Sequence, residues 1–85
     1  MSIYDPLRDS LAASNASSLK MSFAEIERLI GRPIPRSAYD RDAWWSNEDP
    51  ATTMHSQNRA WKIAGYDAEV NRAEKTVTVR RTKSV

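Results

Sequence analysis

The apolar positions follow two different periods, which divide the chain into a helical first part and a β-hairpin at the end. One helix face is marked by four apolar residues, at Phe23, Ile26, Leu29 and Ile30. Their spacing predicts an amphipathic helix over about 23–30. Beyond Gly65, apolar and polar residues alternate over 66–71 and again over 76–80. This alternation predicts two half-buried strands, joined as an antiparallel hairpin near 72–75.

Local end signals support the helix over 23–30. Ser22 and Glu25 are spaced as a capping box, in which each side chain bonds the other residue's backbone amide. Gly31 follows as a left-handed stop. The residues before the cap, 19–21, read as a short extended segment.

Three further short helices are predicted from cap residues at Asp5, Ser37 and Ser56. The first begins at an Asp-Pro pair and ends near 12–14. The last covers about 56–64, with Trp61 in the core. Between them, the pattern over 42–46 fits either a helix or a strand, and it leaves open which of Trp44 and Trp45 is exposed.

Length and composition limit the chain to one small domain over 1–85, with flexible ends at about 1–3 and 81–85. Of the 85 residues, none is cysteine and only one is histidine, which excludes disulfides and cysteine- or histidine-rich metal sites. No apolar run reaches the roughly 18 residues of a membrane span. We therefore expect a cytoplasmic protein without cofactor, metal or membrane partner.

Motifs for catalysis are also missing from the sequence. The two glycines, Gly31 and Gly65, cannot form a phosphate-cradling loop or a dinucleotide fingerprint. Glu25 and Glu27 lie two apart on a helix, so they point to different sides and do not form a carboxylate pair. We expect that the protein is not an enzyme.

The order of predicted elements is that of a small winged helix-turn-helix-like domain of the α+β class. It has three to four short helices and a C-terminal antiparallel β-hairpin, the wing. In winged helices the helix before the wing is the recognition helix. The stretch between the helices at 23–30 and 56–64 is longer than the usual turn. Either 36–45 or 56–64 could therefore be the recognition helix.

The sequence also resembles a small, poorly characterised domain family of bacteria and phages. The resemblance covers most of the chain and is carried by Tyr4-Asp5-Pro6-Leu7, Phe23, Ile26-Glu27, Gly31-Arg32, Pro35, Ser37-Ala38, Trp44-Trp45-Ser46-Asn47, His55, Ala60-Trp61 and Gly65-Tyr66. It implies a real, recurring domain. It implies no established activity and lends only weak support to a role with nucleic acids.

Charge placement suggests an anionic partner for the last third of the chain. Residues 59–85 hold seven basic and three acidic side chains, whereas residues 1–58 hold six basic and eight acidic ones. The helix over 56–64 and its first flank carry polar side chains suited to DNA, namely His55, Gln57, Asn58, Arg59 and Lys62. Asn58 and Gln57 could pair with adenine, and Arg59 with guanine or phosphate. In the wing, Arg72 and Lys75 would hold phosphates.

The segment over 32–41 is the alternative DNA-contacting element. It carries five candidate side chains, Arg32, Arg36, Ser37, Tyr39 and Arg41. Asp40 and Asp42 are interleaved with them and would repel phosphate. A solvated polar face is the plainer explanation for either element.

Large aromatic side chains allow a second kind of function. Trp44 and Trp45 are adjacent, so in a regular element one packs inside while the other is partly exposed. The exposed one, with Tyr39, could anchor a protein partner, and Asn47 and His55 could hold the following loop by hydrogen bonds.

From these observations we predict a double-stranded DNA-binding protein, a small transcriptional regulator of bacterial or phage type that binds as a homodimer. The alternative is a protein–protein interaction module, either an adaptor or a phage-type inhibitor of a host protein. Acidic residues around an exposed Trp would favour this alternative.

Overall fold

The computed structural model describes residues 2–49 and 51–82. Along the chain the elements are α1 (Asp5–Ala12), β1 (Ser18–Ser22), α2 (Phe23–Ile30), α3 (Arg36–Asp40), a 3₁₀ helix (Asp42–Trp45), α4 (Ser56–Ile63), β2 (Tyr66–Asn71) and β3 (Thr76–Arg81). The predicted α+β class is confirmed. The undecided stretch at 42–46 is a 3₁₀ helix rather than a strand.

The three strands form one antiparallel sheet in the order β1-β3-β2. The hairpin over β2 and β3 is therefore confirmed, and β1 adds to its second strand. Val79 faces Leu19 on one side and Ala68 on the other. Val77 and Val79 are buried, as the alternating pattern predicts.

The capping box of α2 is present as predicted. Ser22 Oγ accepts from the Glu25 amide at 3.0 Å, and Glu25 Oε1 accepts from the Ser22 amide at 2.8 Å. Gly31 has a φ of 75°, the left-handed conformation that ends many helices. These local bonds explain why the sequence locates α2 so closely.

The other predicted caps, Asp5, Ser37 and Ser56, lie one or two positions after the observed ones. Tyr4, Pro35 and His55 occupy the N-cap positions of α1, α3 and α4, and none of them caps with its side chain. Asp5 lies inside the first turn, where its carboxylate accepts from the Ser2 amide at 3.2 Å.

The C-terminal end of the described chain is hydrogen-bonded to neighbouring segments. The Arg81 amide donates to the Ser17 carbonyl at 2.7 Å, and the Thr82 amide to that of Gly65 at 2.8 Å. The predicted flexible ends also include Met1 and residues 83–85, which lie outside the described residues.

Stacked aromatic rings form the centre of the core. The ring of Trp45 lies between Phe23, at 4.9 Å and 18°, and Trp61, at 5.8 Å and 17°. Trp45 is 2% exposed, and Trp61 is buried as predicted. Trp44, which precedes Trp45 in the chain, is only partly buried.

Candidate functional site

The polar face predicted for α4 is largely turned inward. Asn58 is 0% exposed and Gln57 is 8% exposed. Both side-chain amides donate to the Trp44 carbonyl, at 3.4 and 3.3 Å. Asn58 Oδ1 accepts from Ser46 Oγ at 3.0 Å and from the Glu48 amide at 3.4 Å. The prediction that these two amides point outward toward bases is therefore wrong.

The physical reason is a covering segment, residues 42–49, that crosses α4. Because Trp45 is buried between Phe23 and Trp61, the chain after it is drawn across α4 to β2. The side chain of Asn47 fixes it there: Oδ1 accepts from Trp61 Nε1 at 3.1 Å and from the Ala68 backbone amide at 2.6 Å. Nδ2 of Asn47 donates to the Ala68 carbonyl at 2.9 Å. The buried amides of α4 satisfy the backbone of this segment.

Two more residues predicted to contact DNA around α4 bind within the protein. Lys62 Nζ lies 2.5 Å from Asp67 Oδ1, and the lysine side chain is mostly buried. His55 Nδ1 lies 3.0 Å from Glu48 Oε1, so His55 holds its loop, as Asn47 also does. The bond from His55 and a second from Thr53 lower the pKa of Glu48. Arg59 is exposed and lines a cleft with Asp5 between α1 and α4.

The hairpin presents its two predicted phosphate contacts differently. Arg72 Nε lies 2.5 Å from Asp42 Oδ1, so its charge is partly neutralised. Lys75 is exposed and has a φ of 56°, unusual for a residue with a side chain. Its carbonyl accepts from the Phe23 amide at 2.9 Å, so the hairpin turn lies beside the start of α2.

The α2–α3 region, in contrast, exposes a series of arginines. These are Arg28, Arg32, Arg36 and Arg41, here named the arginine segment, and all four are exposed. Between residues 28 and 41 the sequence holds one acidic residue, Asp40. It lies 3.3 Å from Arg36 in an ion pair whose arginine side chain is 92% exposed, a geometry that contributes little. Within residues 2–49 and 51–82, no ion pair involves the other three arginines.

Glu27 fixes the geometry of this segment. Its Oε2 accepts from the Ile34 amide at 3.0 Å and from Tyr39 Oη at 3.2 Å, which joins α2 to the turn and to α3. Burial raises the pKa of Tyr39, and the hydrogen bond to Glu27 raises it further. Ile34 and Ala38 are buried beneath the turn. The arginines therefore lie on a unit in which α2, the turn and α3 are hydrogen-bonded to one another.

Arg28 was missed as a candidate from sequence alone. The apolar spacing that predicts α2 carries no information about the charged face of that helix. The signal that could have found Arg28 is the spacing of arginine at positions 28, 32, 36 and 41.

The residues predicted to anchor a protein partner are mostly committed to the core. Of the two adjacent tryptophans, Trp45 is the buried one, so it is no longer an interface candidate. Tyr39 packs its ring edge against Phe23 at 5.0 Å in addition to bonding Glu27. Trp44 is the exception, because it lines a shallow cleft next to Arg41.

The acidic residues that would favour a protein partner are each engaged. Asp40, Asp42 and Glu48 contact Arg36, Arg72 and His55 respectively. Asp49 Oδ1 accepts from the Ala51 amide at 2.9 Å.

The described residues contain neither a cluster of metal ligands nor a membrane-spanning helix. In 2–49 and 51–82, no three His, Cys, Asp or Glu side chains gather as metal ligands would. No helix in these ranges has both the length and the apolar character to cross a bilayer.

Comparison with known proteins identifies a family without assigning an activity. No curated protein and no solved structure matches the chain. The family model described as Domain of unknown function (DUF7662) matches residues 4–83. The resemblance to a poorly characterised family is thereby confirmed. The chain belongs to the DUF7662 family of domains of unknown function.

Proposed function

We propose that this domain binds double-stranded DNA through the arginine segment. The observation that carries the proposal is the exposure of four arginines on one helix-turn-helix unit, three of them without an ion pair within the described residues. Guanidinium groups bind phosphate through paired N–H donors. Phosphate contacts supply most of the nonspecific affinity of DNA-binding proteins.

The order of elements supports a winged-helix arrangement. A helix, a strand, further helices and a C-terminal hairpin follow one another, and the first strand joins the hairpin. In such domains the helix before the hairpin usually reads DNA. Here that helix is α4, which is covered by residues 42–49. We therefore assign the contact to α2 and α3, with Lys75 of the adjacent hairpin turn as a further phosphate contact.

A homodimer would place two arginine segments on two half-sites, as a small regulator requires. The rival function, a protein-interaction module, has less support. Its predicted anchors Trp45 and Tyr39 pack into the core or bond Glu27, and its acidic residues are paired.

The test is fluorescence anisotropy of a labelled random-sequence duplex, titrated at several salt concentrations. The variant Arg32→Ala/Arg36→Ala/Arg41→Ala removes three charges from the arginine segment. Arg59→Ala/Lys62→Ala/Arg80→Ala removes the same number from α4 and β3 and serves as the matched control.

We expect the unaltered protein to give a log–log salt slope of roughly −3 to −6. The arginine-segment variant should lose about 2–3 from that slope and bind about tenfold or more weakly, since each phosphate contact contributes about 0.9. The control should bind within about threefold of the unaltered protein. Equal losses in both variants would contradict the assignment to α2 and α3. No binding at about 50 mM salt would overturn the proposed function itself.

A further inference from the structure

The two adjacent tryptophans have opposite surroundings. Both ring faces of Trp45 are stacked, against Phe23 and Trp61. Trp44 meets Tyr4, Trp45 and Trp61 only at steep angles, of 67°, 71° and 55°. Among the rings of the described residues, none stacks parallel on the Trp44 indole, and part of that indole is exposed.

This indole lines a shallow cleft of mixed character. Its lining includes Ser37 of α3, Trp44 of the 3₁₀ helix and Arg41 between these two elements. The loop and α4 contribute Glu48, His55 and Gln57. The one carboxylate, Glu48, is bonded to His55 at 3.0 Å and also to Thr53.

Arg41 gives the cleft a cation that can bind an anionic group of a ligand. Arg41 is exposed, and no ion pair to it is found in 2–49 or 51–82. The neighbouring acids are directed elsewhere, Asp40 to Arg36 and Asp42 to Arg72. A flat aromatic surface next to an arginine is the combination that binds a base together with its phosphate.

We propose that the cleft binds an unpaired nucleobase, stacked on Trp44, with the adjoining phosphate on Arg41. This inference extends the proposed function, because it names a second part of a nucleic acid that the domain recognises. Arg41 then serves both the arginine segment and the cleft. The same chemistry is offered by a base that protrudes from a strand and by a free nucleotide.

The experiment compares four probes with the full chain. Three are labelled duplexes of one sequence: fully paired, with a single bulged thymidine, and with an abasic residue in the bulge. The fourth is thymidine 5′-monophosphate, followed by quenching of tryptophan fluorescence and by competition with the bulged duplex.

The unaltered protein should prefer the bulged thymidine over the abasic bulge by about fivefold or more, since base–aromatic stacking contributes on that scale. Trp44→Leu should remove the preference, and Trp44→Phe should restore part of it. Arg41→Ala should weaken binding of the nucleotide, and Arg41→Lys should restore part of that binding. Arg36→Ala, which alters an arginine outside the cleft, should weaken all three duplexes alike. Because the Arg41 variants leave the ring in place, they test the site even where Trp44→Leu lowers stability.

The outcomes separate this inference from the proposed function. Equal affinity for all three duplexes, without quenching by the nucleotide, overturns the inference and leaves the proposed function standing. Quenching by the nucleotide without binding of any duplex supports the cleft as a site for a free nucleotide and overturns the proposed function. Preference for the bulged thymidine without competition by the nucleotide supports the cleft and assigns it to bases within a strand. Absence of every signal overturns both.

Discussion

The polar side chains of α4 and those of the α2–α3 unit have similar chemistry but opposite uses. On α4, Asn58 and Gln57 bond the backbone of a segment that crosses the helix, and Lys62 bonds Asp67. On the α2–α3 unit, Arg28 and Arg32 are exposed and belong to no ion pair within 2–49 and 51–82. A polar helix face is therefore available to a partner only where the rest of the chain leaves its hydrogen-bonding groups unused.

The cause of this difference is the aromatic core. Trp45 fills the space between Phe23 and Trp61, and the backbone that follows it must cross α4. That backbone carries amides and carbonyls that need partners once water is excluded. Asn58 supplies them from the helix, and Asn47 bonds the edge of β2. Among residues 2–49 and 51–82, no segment covers the arginines of the α2–α3 unit, which are all exposed.

The largest effect should come from removing the ring that draws the covering segment across α4. Trp45→Ala should lower the free energy of unfolding by about 3–5 kcal/mol, since it deletes a buried aromatic side chain. Trp44→Ala, its matched control, should cost clearly less because Trp44 is partly exposed. Urea unfolding followed by circular dichroism measures both. Equal costs would show that Trp45 is not the anchor of residues 42–49.

The next largest effect should separate Asn58 from its neighbour Arg59. Asn58→Ala removes a fully buried side chain that accepts from Ser46 Oγ and the Glu48 amide and donates to the Trp44 carbonyl, so it should cost about 2–3 kcal/mol of stability. Arg59→Ala should cost clearly less, because Arg59 is exposed whereas Asn58 is fully buried. Both proteins, where folded, should bind the random duplex within about twofold of the unaltered chain. If Asn58→Ala kept native stability but lost DNA binding, Asn58 would be a DNA contact rather than a structural residue, which would contradict the account of α4.

Sequence reasoning succeeded where the determining contacts are close in the chain. The capping box spans three residues, and the strand alternation needs only the next residue but one, so α2 and the hairpin were predicted correctly. The buried face of α4 depends on the bonds of Asn58 to Trp44, Ser46 and Glu48, which are 10–14 residues away. The spacing of apolar and polar residues within α4 gives no information about contacts with such distant residues.

The candidate site was only partly foreseen for the same reason. Arg32, Arg36 and Arg41 were considered, but the helix over 56–64 was preferred because its polar face, the wing and the basic final third coincide in the sequence. The contact of Asp42 with Arg72 could not be known from their positions, since the two lie 30 residues apart, whereas the i,i+4 spacing of Arg36 and Asp40 is visible in the sequence.

A smaller effect should distinguish the two hairpin cations. Lys75 has a φ of 56°, which costs a side-chain-bearing residue energy that glycine avoids. Lys75→Gly should therefore raise stability by about 0.5 kcal/mol, after allowing for the greater entropy of unfolded glycine. It should weaken DNA binding by about two- to threefold at low salt through loss of one phosphate contact. Lys75→Arg should keep the binding. Unchanged binding by Lys75→Gly would remove the hairpin turn from the interface.

The smallest effect concerns the loop that helps to cover α4. Hydrogen bonds from His55 and Thr53 lower the pKa of Glu48 below its usual 4.5, so the ionised carboxylate stabilises the folded state above that pH. The contribution should be lost as the pH falls through the lowered pKa. The melting temperature of the unaltered protein should exceed that of Glu48→Gln at pH 7, and the two should converge in acid. A difference that grows toward acid would contradict this role of Glu48.

The most direct test of the account is to locate the DNA contact residue by residue. Backbone and arginine side-chain ¹H–¹⁵N resonances can be followed while an unlabelled random duplex is added to the labelled protein. The account predicts the largest shifts at Arg28, Arg32, Arg36, Arg41 and Lys75, with small shifts over α4. Large shifts over Ser56–Ile63, with the arginine resonances unmoved, would contradict the central claim that α2 and α3, rather than α4, form the DNA-binding surface.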